Sequence, residues 1–189
     1  EDAQRALSGL SSEAIAADET YDAVGGAAGT LLALVGAFDR TGDKAFLSWA
    51  RECGDRLVDA QQPVDAGGAA WNTELGEAPL TGFAHGSSGA AYALARLSTA
   101  TGRGGYESPV LDALDYEAAV YDPDQGNWRD FRPDTAPFVD QWCHGRTGIV
   151  LARLGVADHL GANREDVRLD RALASVVEPT QIRDHLCCG

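Results

Sequence analysis

The sequence predicts an all-α fold built from repeated helical hairpins. Three observations predict it. A G-x-x-G pair followed by an apolar helical run occurs in "AVGGAAGTLLAL" (23–34), "FAHGSSGAAYAL" (83–94) and "WCHGRTGIVLARL" (142–154), at near-equal spacing. Between the copies lie segments with apolar residues at helical steps of three and four. β-branched alternation, the mark of half-buried strands, is scarce throughout. Hairpins of this kind bury their faces by stacking on their neighbours. If such a ring closes, the product is an α/α barrel whose glycine-rich loops converge at one end.

In each copy the paired glycines are Gly26/Gly29, Gly86/Gly89 and Gly145/Gly148. Beyond the second glycine stand Leu32, Tyr92 and Leu151, then Ala33, Ala93 and Ala152, so each inner helix is rich in small residues. The segment 43–60 puts Phe46, Trp49, Ala50, Cys53 and Leu57 on one face, as an outer amphipathic helix would, and 106–122 repeats that pattern. The linking segments 64–80 and 122–138 are rich in Gly, Pro, Asp and Asn and read as long ordered loops, the kind that carry function. The ending "LCCG" looks like a fourth copy cut off at Gly189.

A chain of 189 residues has room for one domain with a real core. Its 44% hydrophobic and 23% charged residues are ordinary for a globular protein. A net charge of −14 argues against nonspecific nucleic-acid binding, which needs a basic surface. No apolar run is long enough to span a bilayer, and the first residues lack a basic segment followed by an apolar one. A cytoplasmic location is the expectation. In that reducing compartment, clustered cysteines point to metal or catalysis more than to disulfides.

The reactive side chains share one slot, the loop that enters each inner helix. One residue before the first glycine stand Gly25, His85, His144 and Cys188; two before stand Val24, Ala84, Cys143 and Cys187; Asp22 lies slightly earlier in the first copy. Repeat geometry would bring these loops together. Cys143, Cys187 and Cys188 then supply three thiolates, a donor set suited to zinc with one position left open, as in catalytic sites. The plainer readings are a buried thiol at Cys143, a fortuitous terminal pair, or a disulfide between Cys143 and one of the pair. Cys53 reads as core. His85 is either a loop histidine bonded to carbonyls or a general acid/base. Asp22 is either the cap of the first inner helix or a partner of His85. For His144, supporting a ligand from behind is as natural as coordination. His159 and His185 read as structural.

The segments "YDAVGGAAGTLLAL", "PLTGFAHGSSGAAYALARL", "NWRDFR", "QWCHGRTGIVLARL" and "LCCG" resemble, in order and spacing, the LanC-like cyclase domain of lanthipeptide synthetases. W-C-H-G followed by C-C-G is most similar to the bifunctional class II (LanM-type) enzymes. The resemblance implies an α/α toroid, with Zn2+ held by Cys143, Cys187 and Cys188, an active-site histidine at His85 and a catalytic aspartate at Asp22. It implies addition of a cysteine thiol to dehydroalanine or dehydrobutyrine in a dehydrated ribosomal precursor peptide, closing a lanthionine or methyllanthionine thioether. Some relatives carry an arginine four residues before the W-C-x-G cysteine; Val139 stands there, and that role is not transferred. The family domain begins earlier and runs further, and it normally follows a dehydratase domain. Residues 1–189 are therefore expected to be part of a cyclase domain, a partial ring that could pair with other parts of the same synthetase. Two other functions compete: a zinc-dependent prenyltransferase-like alkylation on an α/α barrel, and an inactive zinc-stabilised peptide-binding scaffold. An isoprenoid site would need an aromatic-lined funnel, and 7% aromatic content offers little for one.

Overall fold

The structure, a computed structural model, describes residues 9–73, 76–102, 104–161 and 173–174. A short helix α1 (Ser12–Ala16) leads into the hairpin of α2 (Ala27–Thr41) and α3 (Lys44–Ala60). A second hairpin follows, α4 (Ser87–Thr101) and α5 (Glu107–Ala119), and then α6 (Arg146–Leu160). The described chain is all-α in class, as expected. The inner helices α2, α4 and α6 lie side by side, with α4 in contact with both of the others; α3 backs α2 and α5 backs α4. The fourth copy, with Cys187, Cys188 and His185, lies outside the described residues.

Helix boundaries follow local chemistry. The inner helices all end on a glycine in the left-handed region, Gly42 (φ 69), Gly102 (φ 61) and Gly161 (φ 60), where a Cβ would be strained. The outer helix α3 starts at Asp43, whose carboxylate accepts the Ala45 N–H at 2.9 Å. Helix α2 has no capping side chain on Gly26. Asp18, nine residues upstream, accepts the Ala27 N–H at 2.9 Å instead.

Helix α4 sits at the centre. Ala90, Ala91, Ala93 and Ala95 are buried and let four other helices approach it, while Leu94 and Leu97 fill the space between. The face foreseen on α3 is the buried one: Phe46, Ala50, Cys53 and Leu57 are covered and Trp49 is half-covered. Burial, aided by the charges of Asp18 and Glu52, pushes the Cys53 thiol up to about 12, so it is an inert core residue.

The linking segments hold more order than loops. β1 (Gln62–Pro63) pairs antiparallel with β2 (Ala69–Ala70), and β3 (Tyr121–Asp122) with β4 (Asn127–Trp128). Strands of two residues are too short to show alternation in a sequence. Their turns rest on Gly67 and Gly68 in the first case, and in the second on the Asp122 side chain, which accepts the Asp124 and Gln125 N–H groups.

The repeated glycines have a steric cause. A Cβ on Gly29, Gly89 or Gly148 would run into the carbonyl oxygen of Ala23, Phe83 or Trp142, respectively. In each of these three copies the loop folds back over the first turn of its inner helix and leaves no room for a side chain. Position therefore decides the sign of a glycine-to-alanine change. Gly89→Ala should destabilise the protein by about 1–3 kcal/mol, because backbone must move. Gly36→Ala, mid-helix with nothing within 4 Å of the added methyl, should stabilise it by about 0.5–1 kcal/mol. Denaturant midpoints of the two variants check both signs.

Candidate active site

The three loops are joined through their backbones. Ala23 N–H donates to the Ala84 carbonyl at 3.0 Å, and Ala84 N–H donates to the Cys143 carbonyl at 3.2 Å. This ladder lays the Asp22, His85 and Cys143 loops edge to edge, so residues far apart in sequence meet as the repeat predicts. Gly82 makes the closest approach possible: a Cβ there would lie 2.7 Å from the Cys143 carbonyl oxygen and 2.9 Å from the His144 Cα.

Asp22 and His85 form the central pair. Asp22 Oδ2 lies 2.8 Å from His85 Nδ1, with the aspartate side chain 3% exposed and the imidazole 29% exposed. Asp22 Oδ1 accepts the Val24 and Gly25 N–H groups at 2.9 and 2.7 Å, which fixes the carboxylate. It is thus a turn anchor and the partner of His85; the capping role belongs to Asp18. An ionised carboxylate can only accept, so Nδ1 carries the imidazole proton and Nε2 is the nitrogen left for exchange.

His144 stacks on His85, with ring centroids 5.2 Å apart and planes at 18°. It is 2% exposed. Burial pushes its ring down to about 4, with the Arg132 charge acting in the same direction and Asp130 opposing. The ring is therefore neutral at ordinary pH. Asp130 is buried too. Burial pushes its carboxyl up, but bonds from the Arg132 side chain and backbone outweigh this and leave it below the ordinary carboxylate range.

Cys143 is 4% exposed, with its sulfur 3.4 Å from Gln141 Oε1. Its loop is pinned by Asn127, whose side-chain oxygen accepts the Arg146 N–H at 3.1 Å and whose amide donates to the Val139 carbonyl at 3.0 Å; Arg146 also pairs with Asp140. The donor chemistry beside Cys143 suits zinc. His144 Nδ1, on the next residue in sequence, is buried with no hydrogen-bond partner among the described residues, so a soft thiol and an imidazole nitrogen available as a donor stand on neighbouring residues. Among the described residues no group of three or more His, Cys, Asp or Glu is placed to hold a metal ion. The other two expected ligands, Cys187 and Cys188, lie outside the described residues.

A cleft opens over the pair, lined by Tyr21, Asp22, Trp71, Thr73 and His85. Tyr21, Trp71 and Thr73 were not singled out by sequence. Tyr21 has a positive φ of 59°, rare for an aromatic residue. Arg56 holds it there, with the guanidinium 5.0 Å from the ring centre and bonds to the Tyr21 hydroxyl and the Asp18 carbonyl. Trp71 is fixed by its indole N–H on the Leu57 carbonyl at 2.8 Å. His159 lies away from this cleft, against Tyr92, in keeping with a structural reading. No helix among the described residues is long and apolar enough to cross a membrane.

The family model described as "Lanthionine synthetase C-like protein" matches residues 1–189. No curated protein matches the chain.

The Asp22–His85 geometry fixes a tautomer. Nitrogen NMR at neutral pH should find the His85 proton on Nδ1. In Asp22→Ala that preference should vanish, and stability should fall by about 1–3 kcal/mol, because two turn N–H groups lose their acceptor. An Nε2–H tautomer in the wild type would contradict the geometry.

Proposed function

The chain belongs to the lanthionine synthetase C-like family, and from that premise we propose that it closes thioether rings in a dehydrated ribosomal precursor peptide, as part of a class II (LanM-type) synthetase acting in the cytoplasm. The reaction adds a cysteine S–H across the alkene of dehydroalanine or dehydrobutyrine. An S–Cβ bond forms, the C=C π bond breaks, the thiol proton departs and a proton arrives at Cα. The product is lanthionine or methyllanthionine, isomeric with the substrate.

The observation that carries this reading is the Asp22–His85 pair, joined by the backbone ladder to the Cys143 loop. A peptide thiol with a pKa of about 8.5 is mostly protonated at neutral pH. Zinc held by Cys143, Cys187 and Cys188 would supply acidification and orientation of that thiol at its open position. The remaining work falls to protein side chains. His85, with Nδ1–H held by Asp22, presents an unprotonated Nε2 that takes the thiol proton and then, as the Nε2–H of the imidazolium, gives a proton to the enolate carbon. Asp22 keeps the tautomer and stabilises the imidazolium between proton transfers. His144 holds the plane of the His85 ring by stacking on it. Tyr21 and Trp71 flank the peptide in the cleft and limit water there.

The prenyltransferase reading is less well supported. An isoprenoid chain needs a long apolar funnel, whereas the cleft beside the pair is lined in part by the polar Thr20, Asp22, Thr73 and His85.

His85→Ala separates a cyclase from a passive scaffold. On a synthetic peptide with one dehydroalanine and one cysteine, ring closure is read as loss of maleimide-reactive thiol, since the mass does not change. The full-length variant should lose about 10²–10⁴-fold in turnover while its zinc content stays that of the wild type. Unchanged turnover would rule out His85 as the proton donor.

A further inference from the structure

One buried charged cluster plays no part in the chemistry above. Glu117 on α5 and Arg153 on α6 are both 0% exposed and pair at 3.3 Å. Ser88 Oγ, in the first turn of α4, lies 2.7 Å from both carboxylate oxygens. Arg153 also donates to the Leu114 carbonyl at 3.1 Å, and its guanidinium lies 5.7 Å from the Trp128 ring. The cluster reaches beyond the helices. Glu117 Oε1 accepts the N–H of Gly82 at 3.3 Å.

Gly82 belongs to a segment fastened residue by residue to the outer layer. The Pro79 carbonyl accepts the Tyr116 hydroxyl. The Thr81 hydroxyl donates to the Arg129 carbonyl at 3.0 Å. Gly82 N–H then goes to Glu117, the neighbour of Tyr116 on α5. With φ at +103°, Gly82 turns the chain so that its other side lies against the Cys143 carbonyl and the His144 Cα. Three residues later comes His85. The Glu117 carboxylate is therefore the tether on the loop that carries the proton donor at the point where that loop touches the one that carries Cys143.

Energetics points the same way. Taking two charges wholly out of water is costly, and an apolar pair of similar volume often holds a core together as well or better. Burial pushes the Glu117 carboxyl above its ordinary range, with Arg153, Ser88 and Gly82 opposing. An apolar pair could not accept the Gly82 N–H.

We propose that Glu117, held by Arg153 and Ser88, is a positioning residue for the active site: through the Gly82 amide it sets where His85 stands relative to the Cys143–His144 loop. The proposal rests on the cyclase reading for its kinetic consequence but not for its structural one.

The test uses the full-length double variant Glu117→Met/Arg153→Met, which removes the acceptor for Gly82 without stranding a charge. Its thermal midpoint should fall only moderately, because the Gly82 N–H and the Ser88 hydroxyl lose their acceptor while no charge is stranded. Hydrogen exchange of the Gly82 amide should accelerate at least tenfold, and the His85 ring resonances should shift. With the dehydroalanine–cysteine peptide, kcat should drop about 10- to 100-fold, as small misplacements of reacting groups do, with KM within twofold. A folded double variant with wild-type Gly82 exchange, His85 resonances and kcat would overturn the proposal, because a merely structural pair would behave that way. If the double variant does not fold, Ser88→Ala is read instead. There a three- to tenfold loss in kcat with faster Gly82 exchange supports positioning, and no change in either overturns it. If the wild type itself closes no ring, the cyclase reading fails on its own, and Gly82 exchange with the His85 resonances decides the positioning claim.

Discussion

The backbone hydrogen bonds from Ala23 to Ala84 and from Ala84 to Cys143 carry the site, at 3.0 and 3.2 Å. They join three loops whose glycines leave no room for side chains where each loop crosses its own helix. Side-chain hydrogen bonds alone could bring Asp22 to His85, but a long side chain tolerates slack. A backbone ladder does not, since each bond fixes the position of a whole loop. The proposed proton transfer to one carbon would draw its precision from this constraint.

Around the ladder the polar groups are arranged in layers. Asp22 spends one oxygen on its own turn and the other on His85. His144 is a buried neutral ring against His85. Further out, Asp130 with Arg132 and Glu117 with Arg153 place buried carboxylates behind the loops rather than in the cleft. Each of these two carboxylates has a guanidinium as its counter-charge, as burial demands. The cleft itself is left to His85, Asp22 and an aromatic wall whose Tyr21 takes a strained backbone conformation held by Arg56.

Much of the scaffold was legible in the sequence because repeats expose geometry. Equal spacing of the G-x-x-G pairs placed Asp22, His85, Cys143 and His144 in one slot, and helical periodicity picked out the buried face of α3. Contacts without a local signature were not legible. Nothing in the sequence around Glu117 tells it from the exposed acids of an outer helix, and its partners Ser88, Arg153 and Gly82 sit on three other segments. Asp18 caps a helix nine residues away, beyond the reach of a cap motif, while of the two roles open to Asp22 in the sequence, helix cap or partner of His85, it takes the second. Trp71 lies in a linker whose composition marks a loop but not the direction in which it packs. The thiols Cys187 and Cys188 lie outside the described residues.

The most direct measurement is zinc-edge X-ray absorption on the full-length protein, beside its Cys143→Ala variant. Convergence of the Cys143 loop and the terminal cysteine pair on one ion predicts three sulfur ligands at about 2.3 Å, with one lost in the variant. A zinc shell without sulfur, or one that Cys143→Ala leaves unchanged, would contradict a shared metal centre in this slot.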